Sequence, residues 1–219
     1  MKKLIFAALL AVMCISGCVN LDKNQVKTTS FVEKDKFALD YSSAEWQEFY
    51  KDHFGLIVDF SQVPIPKNPG KGYRLIFIAK GMTMNKAFAR CKELFDAGAY
   101  RDDLDKAIPT NARTAKEHYA VWVRDGIEPD AEHLGRSTRQ ADPDMKIGIT
   151  LLERIIFEIK YFSETGKHLD VKGVTFCSGS RFADGYVPYA YWSGSEFRIF
   201  WCSLGDSNSD CGVRSAVSL

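Results

Sequence analysis

Between Ser43 and Gly55 the apolar positions Trp46, Phe49, Tyr50 and Phe54 recur three to four residues apart, the spacing of one helix face. Ser42 or Ser43 is placed to cap that helix and Gly55 to stop it. "LIVDF" then predicts a short strand, and "VPIPKNPGKG" (Val63 to Gly72) is a Pro/Gly-rich connector that marks a boundary. "YRLIFIAKG" (Tyr73 to Gly81) predicts a buried strand. The next helix, "TMNKAFARCKELF", has Thr83 as cap and Met84, Ala87, Phe88, Cys91, Leu94 and Phe95 on one face. Tyr119 to Val123 alternates as a strand, and the charged stretch from Gly126 to Lys146 predicts a loop with a partial helix. The clearest helix is "GITLLERIIFEIKYFSETGKH". Leu151, Leu152, Ile155, Ile156, Ile159 and Phe162 form its stripe, and Gly166 is its C-cap. Beyond it come only strand-like runs: "GVTFCSG", "VPYAYW", "EFRIFW" and "GVRSAVSL". The pattern predicts an α+β fold with two main helices and a C-terminal antiparallel β cluster.

The first residues change the picture. "MKKLIFAALLAVMCISGC" sets two lysines before an apolar run and ends in small residues and a cysteine. That is an export signal, too short for a permanent membrane span. Ile15-Ser16-Gly17-Cys18 resembles a bacterial lipobox, which makes Cys18 the expected lipidation site and membrane anchor. The expected layout is a lipoprotein signal peptide over 1–17, a flexible polar tether over 18–40, an N-terminal helix and connector over 41–72, and a folded domain over 73–219. The chain is therefore expected to be exported, lipid-anchored to the cell envelope and displayed at the surface.

Composition narrows the chemistry. The 219 residues carry 29 basic and 28 acidic side chains, a balance that argues against a nucleic-acid partner. No P-loop, GxGxxG, HExxH or GxSxG motif occurs. His53, His118, His133 and His168 are scattered, and His168 beyond a helix end reads as structural. Cys177 reads as a buried thiol or half-cystine, and the spacing of Asp102, Asp103 and Asp105 as a solvated loop rather than a calcium site. No Cys/His spacing suits zinc. No cofactor, metal or catalytic residue is expected. Once Cys14 and Cys18 are set aside, Cys91, Cys177, Cys202 and Cys211 allow three pairings in an exported setting, and all three stay open.

The terminal strands are the distinctive part. On a pleat, Ala190 and Trp192 point one way and Tyr189 and Tyr191 the other. Phe197, Ile199 and Trp201 share a face, with Arg198, Phe200 and Cys202 opposite. Bulk on both faces admits a bland reading, a sheet buried on both sides. Against it stand Arg198 and the polar loop from Gly205 to Asp210. Tyr, Arg and Phe beside a Ser/Asp/Asn loop make a paratope composition, rigid amphipathic anchors among adaptable hydrogen-bonding groups. The residue usage is restricted too: eighteen lysines precede Gly173 and none follows. Substituting the adenines of an Asn codon reaches every residue type except Lys, Gln, Glu, Met and Trp. From Tyr189 to Gly212, the residues outside that reach are Trp192, Glu196 and Trp201.

This usage comes with a family resemblance. "FYKDHFGLIVDF", "RLIFIAKGMTMNKAF", "YAVWVRDGIEPD", "ITLLERIIFEIKYFSETGKHLDV" and "VTFCSGSRFADGYVP" resemble target proteins of diversity-generating retroelements in candidate-phyla bacteria. The resemblance covers Ala44 to Leu219 and is most specific from Ile149 to Pro188. It implies a C-type lectin-like ligand-binding domain, a hypervariable segment at about 186–212 and no catalysis. The implied partner is a protein or glycan on another cell or phage surface. Carried over by position, the variable set falls on Tyr189, Tyr191, Ser193, Arg198, Phe200, Cys202, Ser203, Gly205, Asp206, Ser207, Asn208, Ser209, Asp210 and Cys211. Ala190, Trp192, Phe197, Ile199, Trp201 and Val213 fall to the scaffold, with both tryptophans expected to be buried. This chain has "CGVRSA" where family members often show Leu-Arg-x-Arg, so positions around Cys211 are loosely assigned. "YWSGSE" is also similar to relatives of formylglycine-generating enzymes, an alternative that needs a reactive cysteine pair. A third reading is a fixed structural envelope lipoprotein.

Overall fold

The computed structural model describes residues 42–219. The expected signal peptide, the Cys18 lipidation site and the tether lie outside them. The described part is α+β and falls in one compact unit. Helix α1 (42–54) ends at Gly55, whose φ of +65° suits a left-handed stop. Ser42 and Ser43 are helical, so neither is the residue ahead of the helix. Trp46, Phe49 and Tyr50 are buried against strand β1 (Tyr73–Ile78). The Trp46 indole donates to the Leu75 carbonyl (3.2 Å) and the Tyr50 hydroxyl to that of Phe77 (2.9 Å).

These contacts join α1 to the first strand across the connector. The connector after α1 is stitched into the fold, because the Trp122 indole donates to the carbonyl of buried Pro66 at 2.8 Å. "LIVDF" forms no strand. Its Phe60 is buried while Ile57 is 95% exposed, and the Phe60 N–H is taken by the Gln47 side chain rather than a neighbouring strand.

Two sheets flank the central helix. In the first, β4 (Tyr119–Arg124) lies between β1 and β10 (Ala216–Val217), all antiparallel. The second runs β2 (Ala97–Ala99), β8 (Glu196–Cys202), β7 (Val187–Ser193), β5 (Val174–Phe176), β9 (Cys211–Val213). The expectation of an antiparallel cluster holds for β5–β7–β8 and fails at the edges, where β2 pairs with β8 and β9 with β5 in parallel. "GVRSAVSL" is likewise split between the sheets, β9 joining one and β10 the other. A short ladder joins β3 (Thr110–Asn111) to β6 (Ser180–Arg181).

Helix α2 (Met84–Leu94) is capped by Thr83, and its Met84, Ala87, Phe88 and Cys91 are buried. Asp103 caps the short helix α3 (Leu104–Ala107) and Asp105 accepts from the first N–H groups of α2, so these aspartates organise helix ends. Helix α4 (Thr138–Ala141) breaks the loop beyond β4. Helix α5 (Leu151–Thr165) starts in a capping box of Thr150 and Glu153 and stops at Gly166. It packs on α2, β1 and β7, so every residue from Leu151 to Lys160 is buried, not only the apolar stripe.

The charges on that helix are paired. Arg154 reaches Asp170 (2.8 Å) and Glu158 (2.7 Å), and Arg214 reaches Asp170 (2.8 Å), with all four side chains inaccessible to solvent. Arg214 also donates to the carbonyls of Arg124, Gly126 and Ile127. Two guanidinium groups against two carboxylates leave the cluster neutral, the condition for burying charge at tolerable cost.

Candidate functional site

The site is built on the β7–β8 hairpin. Ser193 pairs with Glu196 across a two-residue turn, and Gly194 takes the positive φ (+64°) that such a turn requires. The strands then expose two different faces. Toward the helices point Ala190, Phe197 and Ile199, all buried, with Trp192 and Trp201 at the margins. Both tryptophans are half-buried, which corrects the expectation of full burial. Trp192 stacks on His168 with ring centroids 3.3 Å apart and meets Phe95 edge-on, while Trp201 lies against Tyr186 and Tyr100. An indole is too large to be enclosed by a sheet margin, so each seals the rim of the core.

His168 binds Glu158 (2.9 Å) and joins the buried charges to this stack. The Trp192 N–H donates to the Asp170 carbonyl (3.0 Å), so the same cluster holds β7 in place.

The opposite face carries Tyr189, Tyr191, Arg198 and Phe200. The tyrosines are half-buried, Arg198 is exposed and Phe200 is 37% exposed. Their rings adjoin without stacking: Tyr189 lies 5.9 Å from Tyr191 and 6.3 Å from Phe200. Arg198 is bound by Glu196 at 2.8 Å. Ser193 is exposed at the hairpin end.

Toward its other end this face is covered. Phe176, Val187, Cys202 and Val213 form a small second core, with Ala141, Leu204 and Cys211 against it. Cys202 is only 8% exposed, so it departs from the outward set in which its parity placed it. The doubly buried reading is right for this end of the sheet and wrong for the Tyr191–Arg198 end.

The loop from Ser203 to Asp210 leans over the boundary between the two ends. Asp206 accepts from the Ser203 N–H (2.8 Å) and hydroxyl (2.7 Å), and these bonds hold its carboxyl below the usual carboxylate range. The Leu204 carbonyl accepts from Arg139, the Asp210 carbonyl from Val174 and the Asn208 carbonyl from Cys211. Gly205, Ser207, Asn208 and Ser209 are exposed, and Ser203 is half-buried. A polar loop pinned at several backbone points is pre-organised rather than slack.

Between loop and strands lies an open concavity of about 350 Å³. Tyr189, Tyr191, Cys202, Asp206, Ser207, Asn208, Asp210 and Cys211 line it, together with Val174 and Phe176. Arg198, Phe200, Ser193, Ser203, Gly205 and Ser209 lie beside it on the same strands and loop. The sequence reading missed Val174 and Phe176, which enter through the Phe176–Tyr189 register, and Tyr100, whose ring supports Phe200 at 5.3 Å. Strand register cannot be counted from sequence when the partners lie in separate runs.

The four cysteines of the described residues are free thiols. Burial first, then Asp206 and Cys211, pushes Cys202 up to about 12. Burial and Asp210 push Cys211 up to about 12. Cys91 and Cys177 are raised by complete burial. At neutral pH such groups are protonated and weakly nucleophilic. No protein-family model, curated protein or solved structure matches this chain.

Proposed function

We propose that this chain is a surface-displayed ligand-binding protein, anchored to the envelope through lipid on Cys18, with no catalytic role. On this reading residues 73–219 are C-type lectin-like and the segment at about 186–212 is diversified by a retroelement that mutates adenines. Its ligand is a protein or glycan on another cell or phage surface. The observation that carries the reading is the division of residue types across the hairpin. Tyr189, Tyr191, Arg198 and Phe200, all within reach of adenine substitution, share the accessible face. Trp192 and Trp201, outside that reach, sit on the helix side. Glu196, also outside it, is half-buried on the Arg198 side at the hairpin end, where it binds Arg198 and abuts Gly98. Support for the lectin-like fold is more general: β10 returns to the sheet of β1, and α2 and α5 carry the hairpin on a rigid base.

The enzyme alternative asks for a reactive thiol pair. Cys202 and Cys211 do line one concavity, but both thiols are raised, which weighs against it.

Sequencing the gene across a source population is the test. Changes are expected to concentrate at the fourteen proposed positions, with Trp192 and Trp201 constant. A reverse-transcriptase gene and an imperfect repeat of the variable bases are expected nearby. Even, mostly synonymous variation over the whole gene would reduce the protein to a fixed envelope lipoprotein. For the anchor, Cys18→Ser is expected to release the protein or leave it unprocessed, read by mass spectrometry of the N-terminal peptide.

A further inference from the structure

We infer that the concavity under the Ser203–Asp210 loop takes the guanidinium of an arginine side chain presented by a protein ligand. The inference rests on the ligand-binding reading and names the chemistry that this version of the surface selects. The wall is aromatic: Tyr189 lies between Tyr191 (5.9 Å, 45°) and Phe176 (6.4 Å, 67°), with no ring stacked on another. The rim is acidic. Asp206 and Asp210 line the concavity and no Lys, Arg or His does.

The partners of both carboxylates are neutral. Asp206 holds the Ser203 hydroxyl and N–H, and Asp210 the Cys211 thiol at 3.5 Å. The cation on the neighbouring strand, Arg198, is held by Glu196 and also borders Tyr191, but it binds neither Asp206 nor Asp210 and lies outside the concavity lining. An incoming cation would therefore meet two carboxylates without first displacing another positive charge. Burial first, then its neighbours, push the Tyr189 hydroxyl up to about 12, so the ring stays a neutral wall of the concavity at pH 7.

Arginine fits this combination better than lysine. A planar guanidinium stacks on tyrosine rings and spreads its donors over two acceptors, whereas an ammonium is a compact, strongly hydrated point charge. A protein ligand fits better than a free small molecule. The accessible face runs on past the concavity to Phe200, which Tyr100 supports, and a single side chain leaves that ledge uncovered.

The test titrates the full chain in detergent micelles with acetylated Gly-Arg-Gly, Gly-Lys-Gly and Gly-Glu-Gly amides and with choline, following tyrosine ring resonances. Gly-Arg-Gly is expected to shift the Tyr189 and Tyr191 signals saturably, and more weakly as salt rises. The lysine peptide is expected to bind roughly tenfold more weakly, and the glutamate peptide not at all. Asp206→Asn with Asp210→Asn is expected to lower the arginine affinity by about tenfold or more. Because Asp206 also shapes the loop, Asp210→Asn alone serves as second variant, with an unchanged melting curve as its control. Equal response to the glutamate peptide, stronger binding of choline, or indifference to both carboxylates would overturn the inference. A population that varies at the proposed positions while this chain ignores arginine sinks the inference alone. Arginine binding by a gene that does not vary sinks the diversification reading alone.

Discussion

Cys202 belongs to two structures at once. Its side chain closes the small core with Phe176, Val187 and Val213, and it also edges the concavity. A raised thiol in that position is a packing group, and its reactivity measures whether the site does chemistry. With iodoacetamide at pH 8, Cys91, Cys177, Cys202 and Cys211 are each expected to react far more slowly in the native protein than in urea. Peptide mapping by mass spectrometry resolves the four, and fast alkylation of Cys202 or Cys211 alone would return the enzyme reading to contention. Side-chain truncation separates the two faces in the same way. Phe197→Ala is expected to cost roughly 3–5 kcal/mol, since the ring is fully enclosed. Tyr191→Ala is expected to cost under about 1 kcal/mol, because its ring is half open to water. Trp201→Ala should fall between them, as expected for a rim residue. Urea denaturation of the three variants gives the order, and equal losses for Phe197 and Tyr191 would mean that the outer face is core.

At the level of elements, the hairpin shows what a period-two pattern can and cannot reveal. Alternation from Val187 to Cys202 correctly divides the residues between two faces, because successive side chains on a pleat must point oppositely. It says nothing of what covers each face. That is why Cys202 and Tyr191, on one face, differ so much in burial, and why the tryptophans end at the margins. Helix α5 fails in the converse way. Its apolar stripe and its C-cap at Gly166 are plain in the sequence, but the stripe alone does not show that Glu153, Arg154, Glu158 and Lys160 are buried, nor that Thr150 caps the helix. Arg113 and Asp170, which pair with Glu153 and Arg154, come from distant segments, and so does Arg214 beyond Asp170; the Arg154–Glu158 and Lys160–Glu164 pairs alone have the spacing of four that a helix pattern can show. Parallel edge strands are hidden for the same reason. The turn itself offers a test. Gly194→Val places a β-branched side chain at φ +64°, with an expected cost of about 1–2 kcal/mol by chemical denaturation. An unchanged midpoint would show that the hairpin end relaxes without strain.

For the molecule as a whole, buried ion pairs tie the central helix to the segments that flank both sheets, and acid should find the joints. Glu153 is fully buried, which by itself would raise its carboxyl. The Arg113 charge and hydrogen bonds (2.6 and 2.8 Å), the Thr150 N–H and the Tyr119 hydroxyl outweigh that and hold it below its ordinary value. A carboxyl depressed on folding contributes stability that is full above its unfolded value, near 4.5, and is lost as pH falls through the lower folded one. Arg113→Met reverses the sign. With its cation gone, burial leads, and the folded carboxyl should rise above the unfolded value. At pH 7 the variant keeps an uncompensated buried carboxylate, at an expected cost of about 3–5 kcal/mol. As pH falls toward 4 that carboxyl takes up a proton in the folded state, so the gap between variant and parent should narrow. Adding Glu153→Gln should recover much of the loss at pH 7, because the second change removes the stranded charge. Urea midpoints for parent, single and double variants at pH 7, 5.5 and 4 test the argument. A cost for Arg113→Met that stays constant over that range would show that Arg113 acts by packing alone, and that the joint between α5 and the first sheet is not electrostatic.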